Sequence, residues 1–240
     1  MQGENLRCAG TMDLIQQQIE YYRARADEYD EWFLRQGRFD HGTELNQQWF
    51  DQAEAVRQAL GEFNPRGKVL ELACGTGLWT GELARYAEQV VAVDAVSEVL
   101  EVNRERVQSE RVEYLEADLF AWQPEPLYDV VYFSFWLSHV PPERFLGFWQ
   151  MVQGALAPGG RVFFVDSLYD RTTTANNHRL KGRDATTQTR KLNDGRTYEI
   201  VKIYYEPEVL QNRLQELGWN VEVRTTGNYF LYGAGGLGGG

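Results

Sequence analysis

The sequence has few of the residues that build disulfide frameworks or zinc sites. Its 240 residues include two cysteines, Cys8 and Cys74, and three histidines. There is no Cys-x-x-Cys pair and no cluster of histidines, so we expect neither a disulfide scaffold nor a bound metal. This sparing use of cysteine predicts a reducing, cytoplasmic setting.

Long apolar runs and an excess of basic charge are also missing. No stretch approaches the roughly 18 apolar residues of a membrane span, and the opening MQGENLRCAG lacks the apolar core of a signal peptide. The 35 acidic residues outnumber the 24 basic ones, which gives a net charge of −11. Because such a surface repels phosphate backbones, we expect no nucleic acid as partner. The lack of a long apolar run predicts no membrane partner. We also expect a monomer or homodimer.

What the sequence does contain is a regular alternation of strand and helix patterns. The runs VVAVD and YDVVYF are apolar almost throughout, as is typical of parallel strands covered by helices on both faces. The patterns predict strands at 68–73, 89–94, 111–116, 128–134 and 160–166, with helices at 77–87, 97–108 and 142–156. A strand in RTYEIVKIYY, a helix in EPEVLQNRLQELG and two strands in WNVEVRTTGNYFLYG follow. The predicted fold class is α/β, a doubly wound, mostly parallel seven-stranded Rossmann-like sheet.

The remaining segments predict how the chain is organised around that sheet. Residues 1–11 are expected to be a disordered tail, 12–233 a single domain, and 234–240 a flexible glycine-rich tail. Within the domain, 12–61 forms an N-terminal helical cap and 169–195 a polar insertion. The cap is predicted as two helices, the second from Thr43 to Leu60 with Gly61 as its stop. The apolar face of the first helix comprises Ile15, Ile19, Tyr22, Ala26, Tyr29 and Phe33.

The segment Val69–Gly77, VLELACGTG, predicts a ligand site. A β-prone run followed by glycines and a helix begins a βαβ unit, and glycine lets the backbone turn sharply against a ligand. A dinucleotide dehydrogenase needs a third small residue for close packing of helix and strand. The turn Gly75-Thr76-Gly77-Leu78-Trp79-Thr80 lacks this third small residue, so it fits a dinucleotide poorly.

Five motifs in this order resemble those of the class I S-adenosylmethionine (SAM)-dependent methyltransferases. They are Glu71-Leu72-Ala73-Cys74-Gly75-Thr76-Gly77, Asp94 with Ser97, Asp118 in EADLF, the strand YDVVYFSF, and the turn Leu156–Gly160. The resemblance covers the chain from about Tyr21 to the last strand. It implies SAM as cofactor, S-adenosylhomocysteine (SAH) as product, and methyl transfer to an oxygen or nitrogen of a small-molecule acceptor. A protein or peptide methyltransferase and a non-catalytic SAM-binding regulatory partner are the alternatives.

Two positions depart from the family pattern. Ala73 occupies the place of the first glycine, and the segment SFWLSHVP has Ser138 where related O-methyltransferases have the glutamate of EHVP. A metal role of that glutamate therefore does not transfer to this chain.

The resemblance also implies which residues form the site. Asp94 would accept from the ribose hydroxyls, Asp118 from the adenine amino group, and Glu71 would reach the cofactor's amino group. The full expected cofactor set is Tyr21, Arg25, Glu71, Ala73, Gly75, Gly77, Asp94, Ala95, Ala117, Asp118, Leu119 and Ser134.

Acceptor residues are expected at the end of the fourth and fifth strands and under the cap. His139 is the candidate general base, because histidine titrates near neutrality. Tyr22, Trp136, His139, Asp166 and Tyr169 are expected to bind the acceptor. The insertion carries Arg171, Arg179, Lys181, Arg183 and Arg190, which could recognise an anionic acceptor; a flexible polar loop is the alternative.

Overall fold

Nine strands and six helices make up the computed structural model, which describes residues 13–125 and 127–238. The strands are β1 Lys68–Leu72, β2 Gln89–Asp94, β3 Val112–Glu116, β4 Tyr128–Ser134, β5 Leu156–Ser167, β6 Thr187–Lys191, β7 Thr197–Val201, β8 Trp219–Thr225 and β9 Phe230–Leu237. The helices are α1 Leu14–Ala24, α2 Thr43–Phe63, α3 Thr80–Leu83, α4 Ser97–Val107, α5 Phe145–Ala155 and α6 Pro207–Glu216. The tail predicted at 1–11 lies outside the described residues.

The central sheet confirms the predicted fold class. Its seven strands run in the order β3-β2-β1-β4-β5-β9-β8. β1 to β5 are parallel, and β9 runs antiparallel between β5 and β8. The order reverses between β1 and β4, and open α/β sheets bind ligands at such a switch point.

Both faces of the sheet are buried, which explains the continuous apolar strands. Along β1, Val69 packs with α2 residues such as Trp49, whereas Leu70 packs on the opposite face with α5 residues such as Trp149. All four of these side chains are fully buried. A strand with helices on both sides has no face exposed to solvent, so polar and apolar residues do not alternate along it.

The first helix is shorter than its sequence pattern predicts, and it buries a different face. It ends at Ala24 and continues as a 3-10 turn over Ala26–Glu31. Because α1 packs against β7, its buried residues are Ile15, Gln18 and Tyr21, while Ile19 and Tyr22 are only half-buried. Gln18 is buried because it bonds across the interface: its Oε1 accepts from Val201 N at 3.1 Å and its Nε2 donates to His139 O at 3.3 Å.

Gly61 does not stop the second helix, contrary to the prediction. α2 continues to Phe63 and ends at Asn64, which has φ +55°. A Cβ on Gly61 would lie 3.0 Å from the hydroxyl oxygen of Tyr86, so the glycine serves a close contact between α2 and its neighbour. The predicted helix at 77–87 is also shorter, since α3 covers only Thr80–Leu83.

The insertion and the following strand form a separate hairpin. β6 lies within 169–195 and pairs with β7 in a two-stranded antiparallel sheet, so the strand predicted in RTYEIVKIYY does not join the central sheet. The insertion also contacts the cap: Trp32 Nε1 donates to Thr173 O at 2.7 Å, and Arg35 Nη2 donates to Thr172 O at 2.6 Å. Cap and insertion together cover the carboxyl ends of the strands.

The predicted flexible tail at 234–240 is wrong for its first four residues. Ala234–Leu237 belong to β9, paired with β5 and β8. A Cβ on Gly233 would lie 2.3 Å from the Phe164 ring, and one on Gly235 would lie 2.0 Å from Asn220 O. The glycines here permit close packing, and composition alone does not distinguish this role from flexibility.

No helix in the described part of the chain is long and apolar enough to cross a membrane.

Candidate active site

Two adjoining cavities open at the carboxyl ends of β1, β2 and β4. The first is lined by residues that include six of the expected cofactor set: Ala73, Asp94, Ala95, Asp118, Leu119 and Ser134. We call it the cofactor cavity. The second lies under the cap and the insertion, and we call it the acceptor cavity. Tyr22, Tyr29, Ala73, Ser134, Phe135 and His139 line both cavities and form their shared wall.

The backbone at the shared wall adopts unusual conformations. Ala73 has φ +52° and Phe135 has φ +54°, a left-handed region in which residues with a side chain are strained. Both residues follow a strand of the switch point, Ala73 after β1 and Phe135 after β4. Strain of this kind concentrates at functional sites.

Gly75 and Gly77 support the turn from behind. A Cβ on Gly75, at φ +52°, would lie 2.8 Å from the Tyr29 hydroxyl, and one on Gly77, at φ +90°, would lie 2.5 Å from Asn103 Oδ1. Asn103 Nδ2 in turn donates to Gly75 O at 3.1 Å. Ala73 is the residue of this turn that lines the cofactor cavity. Within the described ranges, neither Gly75 nor Gly77 lines either cavity. Cofactor contact by Gly75 and Gly77 stays a prediction.

Asp94 ends β2 and faces the cofactor cavity. Its Oδ2 accepts from Gly75 N at 3.0 Å and its Oδ1 from Val96 N at 3.1 Å. Burial raises the pKa of Asp94 to about 6, although these backbone hydrogen bonds act to lower it. Each carboxylate oxygen keeps a lone pair that can accept from a ligand hydroxyl.

Glu71 is a fully buried acid in the middle of β1. Burial raises the pKa of its carboxyl to about 8, and the neighbouring Thr80 hydroxyl opposes part of that rise. By distance and angle, neither carboxyl oxygen has a hydrogen-bond partner among residues 13–125 and 127–238. A cationic amino group reached directly or through water would satisfy this acid. Glu71 itself lines neither cavity within the described ranges, so its contact with the cofactor stays a prediction.

The end of the cofactor cavity beside Asp118 is mainly apolar. Val96, Val99, Leu119 and Phe120 line it beside Asp118, whose Oδ1 accepts from Phe120 N at 2.9 Å. Ala117 holds the chain after β3 against the end of β2, because its N–H donates to Asp94 O at 2.9 Å. An apolar slot with one acid at its edge fits a purine with an exocyclic amino group.

Three of the expected acceptor residues lie elsewhere than predicted. Trp136 lines the cofactor cavity, where its ring pairs with Phe120 at a centroid distance of 5.5 Å. Tyr169 lines a neighbouring outer cavity with Arg171 and Arg179. Asp166 is buried behind the acceptor cavity. A position at the end of a strand puts each residue at the correct edge of the sheet but does not fix which cavity its side chain faces.

Asp166 serves a buried ion pair with Lys202. The Lys202 ammonium is 3.3 Å from Asp166 Oδ1 and donates to Ser138 Oγ at 2.7 Å and to Ser167 Oγ at 2.8 Å. The side chains of Lys202 and Asp166 are 8% and 1% exposed. Ser138, the residue that replaces the family glutamate, thus accommodates a lysine that no sequence motif indicates. Lys202 directly follows β7, and the hairpin that places it there was not predicted.

The acceptor cavity has a cationic lining. Arg25, Arg190 and Lys202 are among its residues, and no aspartate or glutamate is, within the described ranges. Arg25 is 9% exposed and has no hydrogen-bond partner for its Nε. Its Nη2 donates to Tyr29 O at 3.1 Å, and Arg190 Nη1 donates to Thr174 Oγ1 at 3.1 Å. Neither guanidinium pairs with a carboxylate within 4.0 Å in the part of the chain that the structure covers.

His139 lies at the shared wall with both ring nitrogens engaged. Nδ1 is 2.6 Å from Val201 O, and Nε2 is 2.8 Å from the Tyr22 hydroxyl. Burial, reinforced by the charge of Lys202, holds the pKa of His139 well below its usual value. The imidazole is therefore neutral at physiological pH, as a general base requires.

The comparisons with known proteins agree with this geometry. Residues 69–160 match the family described as "Methyltransferase domain". DhpI, in a solved complex with SAH, is 38% identical with a TM-score of 0.78, and the match covers 95% of this chain and 98% of that one. A DhpI-SAM-HEP complex also matches with 38% identity and a TM-score of 0.78, over 93% of this chain and 98% of that chain.

Curated relatives match over a shorter length. The ubiquinone biosynthesis O-methyltransferase of Xylella fastidiosa (strain M23) is 30% identical over 160 residues, 59% of this chain and 62% of that protein. The corresponding enzyme of Xanthomonas campestris pv. campestris (strain B100) is 36% identical over 127 residues, about half of each chain. The chain thus spans less than two thirds of these relatives. The family match, the likeness to DhpI and the cofactor cavity agree, and the chain belongs to the class I SAM-dependent methyltransferases, with SAM as its cofactor.

Proposed function

We propose that this protein transfers the methyl group of SAM to an oxygen of a small anionic acceptor. The observation that carries the proposal is a pair of guanidiniums, Arg25 and Arg190, in a cavity that shares a wall with the cofactor cavity. Lys202 lies in the same lining, but Asp166 offsets its charge. The chain as a whole carries a net charge of −11, so the charge of this lining is opposite in sign to that of the whole protein. A cavity lined by cations favours an anionic ligand.

Arg25 supplies the strongest part of this argument. A buried guanidinium without a carboxylate is costly, because its charge has lost water and gained no counter-ion. Glu28, whose charge acts to raise the pKa of Arg25, forms its ion pair with Arg38 instead, at 3.3 Å. A carboxylate, phosphate or phosphonate group on the acceptor would satisfy the free Nε–H through a charge-assisted hydrogen bond.

The cover over the cavity supports a small molecule over a protein or peptide. Helix α1, the 3-10 turn after it and the insertion all contribute residues to the lining, including Tyr22, Tyr29 and Thr174. Oxygen as the acceptor atom is supported by the O-methyltransferases among the relatives.

The chain's own residues have to orient the reactants and exclude water. When bound, SAM supplies an electrophilic methyl group on a sulfonium, and the sulfur leaves as a neutral thioether. We propose that Asp94, Asp118 and Glu71 hold the cofactor, and that Ala73, Ser134 and Phe135 bring its methyl end to the shared wall. The acceptor oxygen would meet it beside Tyr22 and His139. Positioning of this kind supplies much of the rate.

A matched pair of arginine variants on one segment tests the proposal. Arg25→Gln should raise the KM for an anionic acceptor by about ten-fold or more, while the Kd of SAM, measured calorimetrically, changes little. Arg23→Gln is the control, because Arg23 is half-buried, lines neither cavity, and pairs with Glu20 at 2.6 Å and with Glu98 at 3.5 Å. If Arg25→Gln weakens SAM binding and spares the acceptor, Arg25 holds the cofactor carboxylate, as the family resemblance implies.

Location and assembly are further parts of the proposal. We propose a cytoplasmic protein that acts as a monomer or homodimer, with no nucleic acid or membrane as partner. The sparse cysteines and the net charge of −11 support it. Light scattering at several concentrations, and retention on heparin and on anionic vesicles, would check it.

A further inference from the structure

From the contacts around His139 we infer that Tyr22, not His139, contacts the acceptor hydroxyl and passes its proton back to His139. The inference rests on the proposed function, since it assigns the proton transfer in the same site. It requires an acceptor that carries a hydroxyl besides its anionic group.

The tautomer of His139 follows from its partners. Val201 O can only accept a hydrogen bond, and it lies 2.6 Å from Nδ1, so Nδ1 carries the proton. In the neutral ring Nε2 then holds the lone pair. The nitrogen that could act as a base is therefore the one 2.8 Å from Tyr22 Oη.

That arrangement fixes the direction of the second hydrogen bond. Because Nε2 accepts, the Tyr22 hydroxyl donates to it, and the two rings meet edge to face at 86°. The lone pairs of Tyr22 Oη remain able to accept from another hydroxyl. Tyr22 lines both cavities, so an acceptor hydroxyl at the shared wall can reach it.

Neither residue of this pair would serve as well alone. Burial, together with the neighbouring Tyr29 and Tyr21, raises the pKa of Tyr22 well above its ordinary value, so Tyr22 is not a phenolate at neutral pH. The lone pair of His139 is occupied by Tyr22 and is not free for the acceptor. Lys202, Arg190 and Arg25 face His139 from the end of β7, from β6 and from the cap, and all three keep it neutral.

The transfer balances without a further reactant. The acceptor oxygen bonds to the methyl carbon as the carbon–sulfur bond breaks, and the electron pair of that bond goes to sulfur. The acceptor proton moves to Tyr22 Oη, and the proton of Tyr22 moves to His139 Nε2. His139 becomes an imidazolium whose Nδ1–H stays on Val201 O, and it later returns the proton to solvent.

Histidine nitrogen chemical shifts of the 15N-labelled protein with SAH test the assignment without turnover. The His139 signal, identified by its loss in His139→Gln, should show the Nδ1–H tautomer. Tyr22→Phe should raise the pKa of His139, because it removes a donor that stabilises the neutral ring, whereas Tyr198→Phe should not. Tyr198 packs near Tyr21 at a ring distance of 5.7 Å but does not line the acceptor cavity. An Nε2–H tautomer, or a lower His139 pKa in Tyr22→Phe, would overturn the inference.

The kinetic arm uses labelled SAM and hydroxy carboxylates, phosphate monoesters and phosphonates as acceptors. Tyr22→Phe should lower kcat about 100-fold, the usual size of a general-base contribution, and should remove the loss of kcat at low pH. Retention of full kcat and of the same pH profile would contradict the relay. If the wild-type protein binds no SAH and methylates nothing, the proposed function fails, and the tautomer measurement still reports on Tyr22 and His139.

Discussion

The backbone N–H of Gly75 donates to Asp94 Oδ2 over 3.0 Å, so the turn after β1 and the acid that ends β2 hold one another in place. The two residues come from different motifs of the sequence, 19 positions apart. Their bond fixes the floor of the cofactor cavity before any ligand binds. A preformed acceptor group loses little freedom on binding, which favours affinity.

Asp94→Asn should therefore weaken SAM binding at two points. It replaces a carboxylate that accepts on both oxygens by an amide that accepts on one, and it disturbs the bond to Gly75. We expect the Kd of SAM to rise about ten-fold to 100-fold, measured calorimetrically at pH 8, where the wild-type carboxyl is ionised. An unchanged Kd would exclude Asp94 as a cofactor ligand.

Glu71 should release a proton when SAM binds. The pKa of this buried acid is about 8, so at pH 7 most of the ligand-free protein carries it protonated. A cationic amino group nearby would lower that pKa and expel the proton. Calorimetry at pH 7 in two buffers of different ionisation enthalpy should give different binding heats. Equal heats, or the same difference in Glu71→Gln, would show that Glu71 does not sense the cofactor.

The same acid should make the ligand-free protein less stable as pH rises. Its folded pKa is raised from 4.5 to about 8, so the stability it contributes is full below pH 4.5 and is lost as pH rises through 8. At pH 8 the free energy of unfolding of Glu71→Gln should exceed that of the wild type by about 2–4 kcal/mol, measured by chemical denaturation. At pH 4.5 the two proteins should be alike. A variant less stable at both pH values would contradict this.

Gly77→Ala should destabilise the turn, whereas a glycine in α5 should tolerate the change. The new Cβ would meet Asn103, whose Nδ2 is bonded to Gly75 O and, at 2.8 Å, to Thr80 Oγ1. Because of this clash and the φ of +90° at Gly77, we expect the free energy of unfolding to fall by about 2–4 kcal/mol. A Cβ on Gly147 would have no atom within 4 Å, so Gly147→Ala should be neutral or slightly stabilising. Chemical denaturation of both variants checks the pair.

Asp30 should control how long SAM stays bound. It links the cap to the cofactor turn, since Thr76 Oγ1 donates to its Oδ1 at 2.5 Å and Arg106 pairs with its Oδ2. Asp30→Asn should speed SAM dissociation about three-fold to ten-fold by loosening the cap. Asp27→Asn, an exposed change on the same turn, is the control. Equal dissociation rates in stopped flow would mean that the cap does not retain the cofactor.

The sheet and six residues that line the cofactor cavity could be predicted because both depend on local sequence. Apolar strands, the turn at Ala73 and the acids at strand ends are short patterns whose position in an α/β sheet is fixed by topology. The acceptor side depends on long-range packing. Lys202 reaches Asp166 only because β7 forms a hairpin with β6, and Arg25 is buried because α1 packs on β7.

Glycine illustrates the same limit. The sequence predicts a helix stop at Gly61 and a flexible tail that includes Gly235, but in the structure both glycines allow a close approach by another part of the chain. A neighbour that comes from a distant segment leaves no trace in the local pattern. The conformation of Gly75, set within its own turn, was predictable.

The central claim, SAM-dependent methylation of a small anionic acceptor, is tested most directly by SAH formation. Wild-type protein would be incubated with methyl-labelled SAM and pairs of hydroxy compounds that differ only in an anionic or a neutral group, and SAH and labelled product would be counted together. We predict equal amounts of SAH and methylated product for at least one anionic acceptor, and little of either for its neutral partner. Equal methylation of the neutral partners, or SAM binding without transfer to any acceptor, would contradict the account.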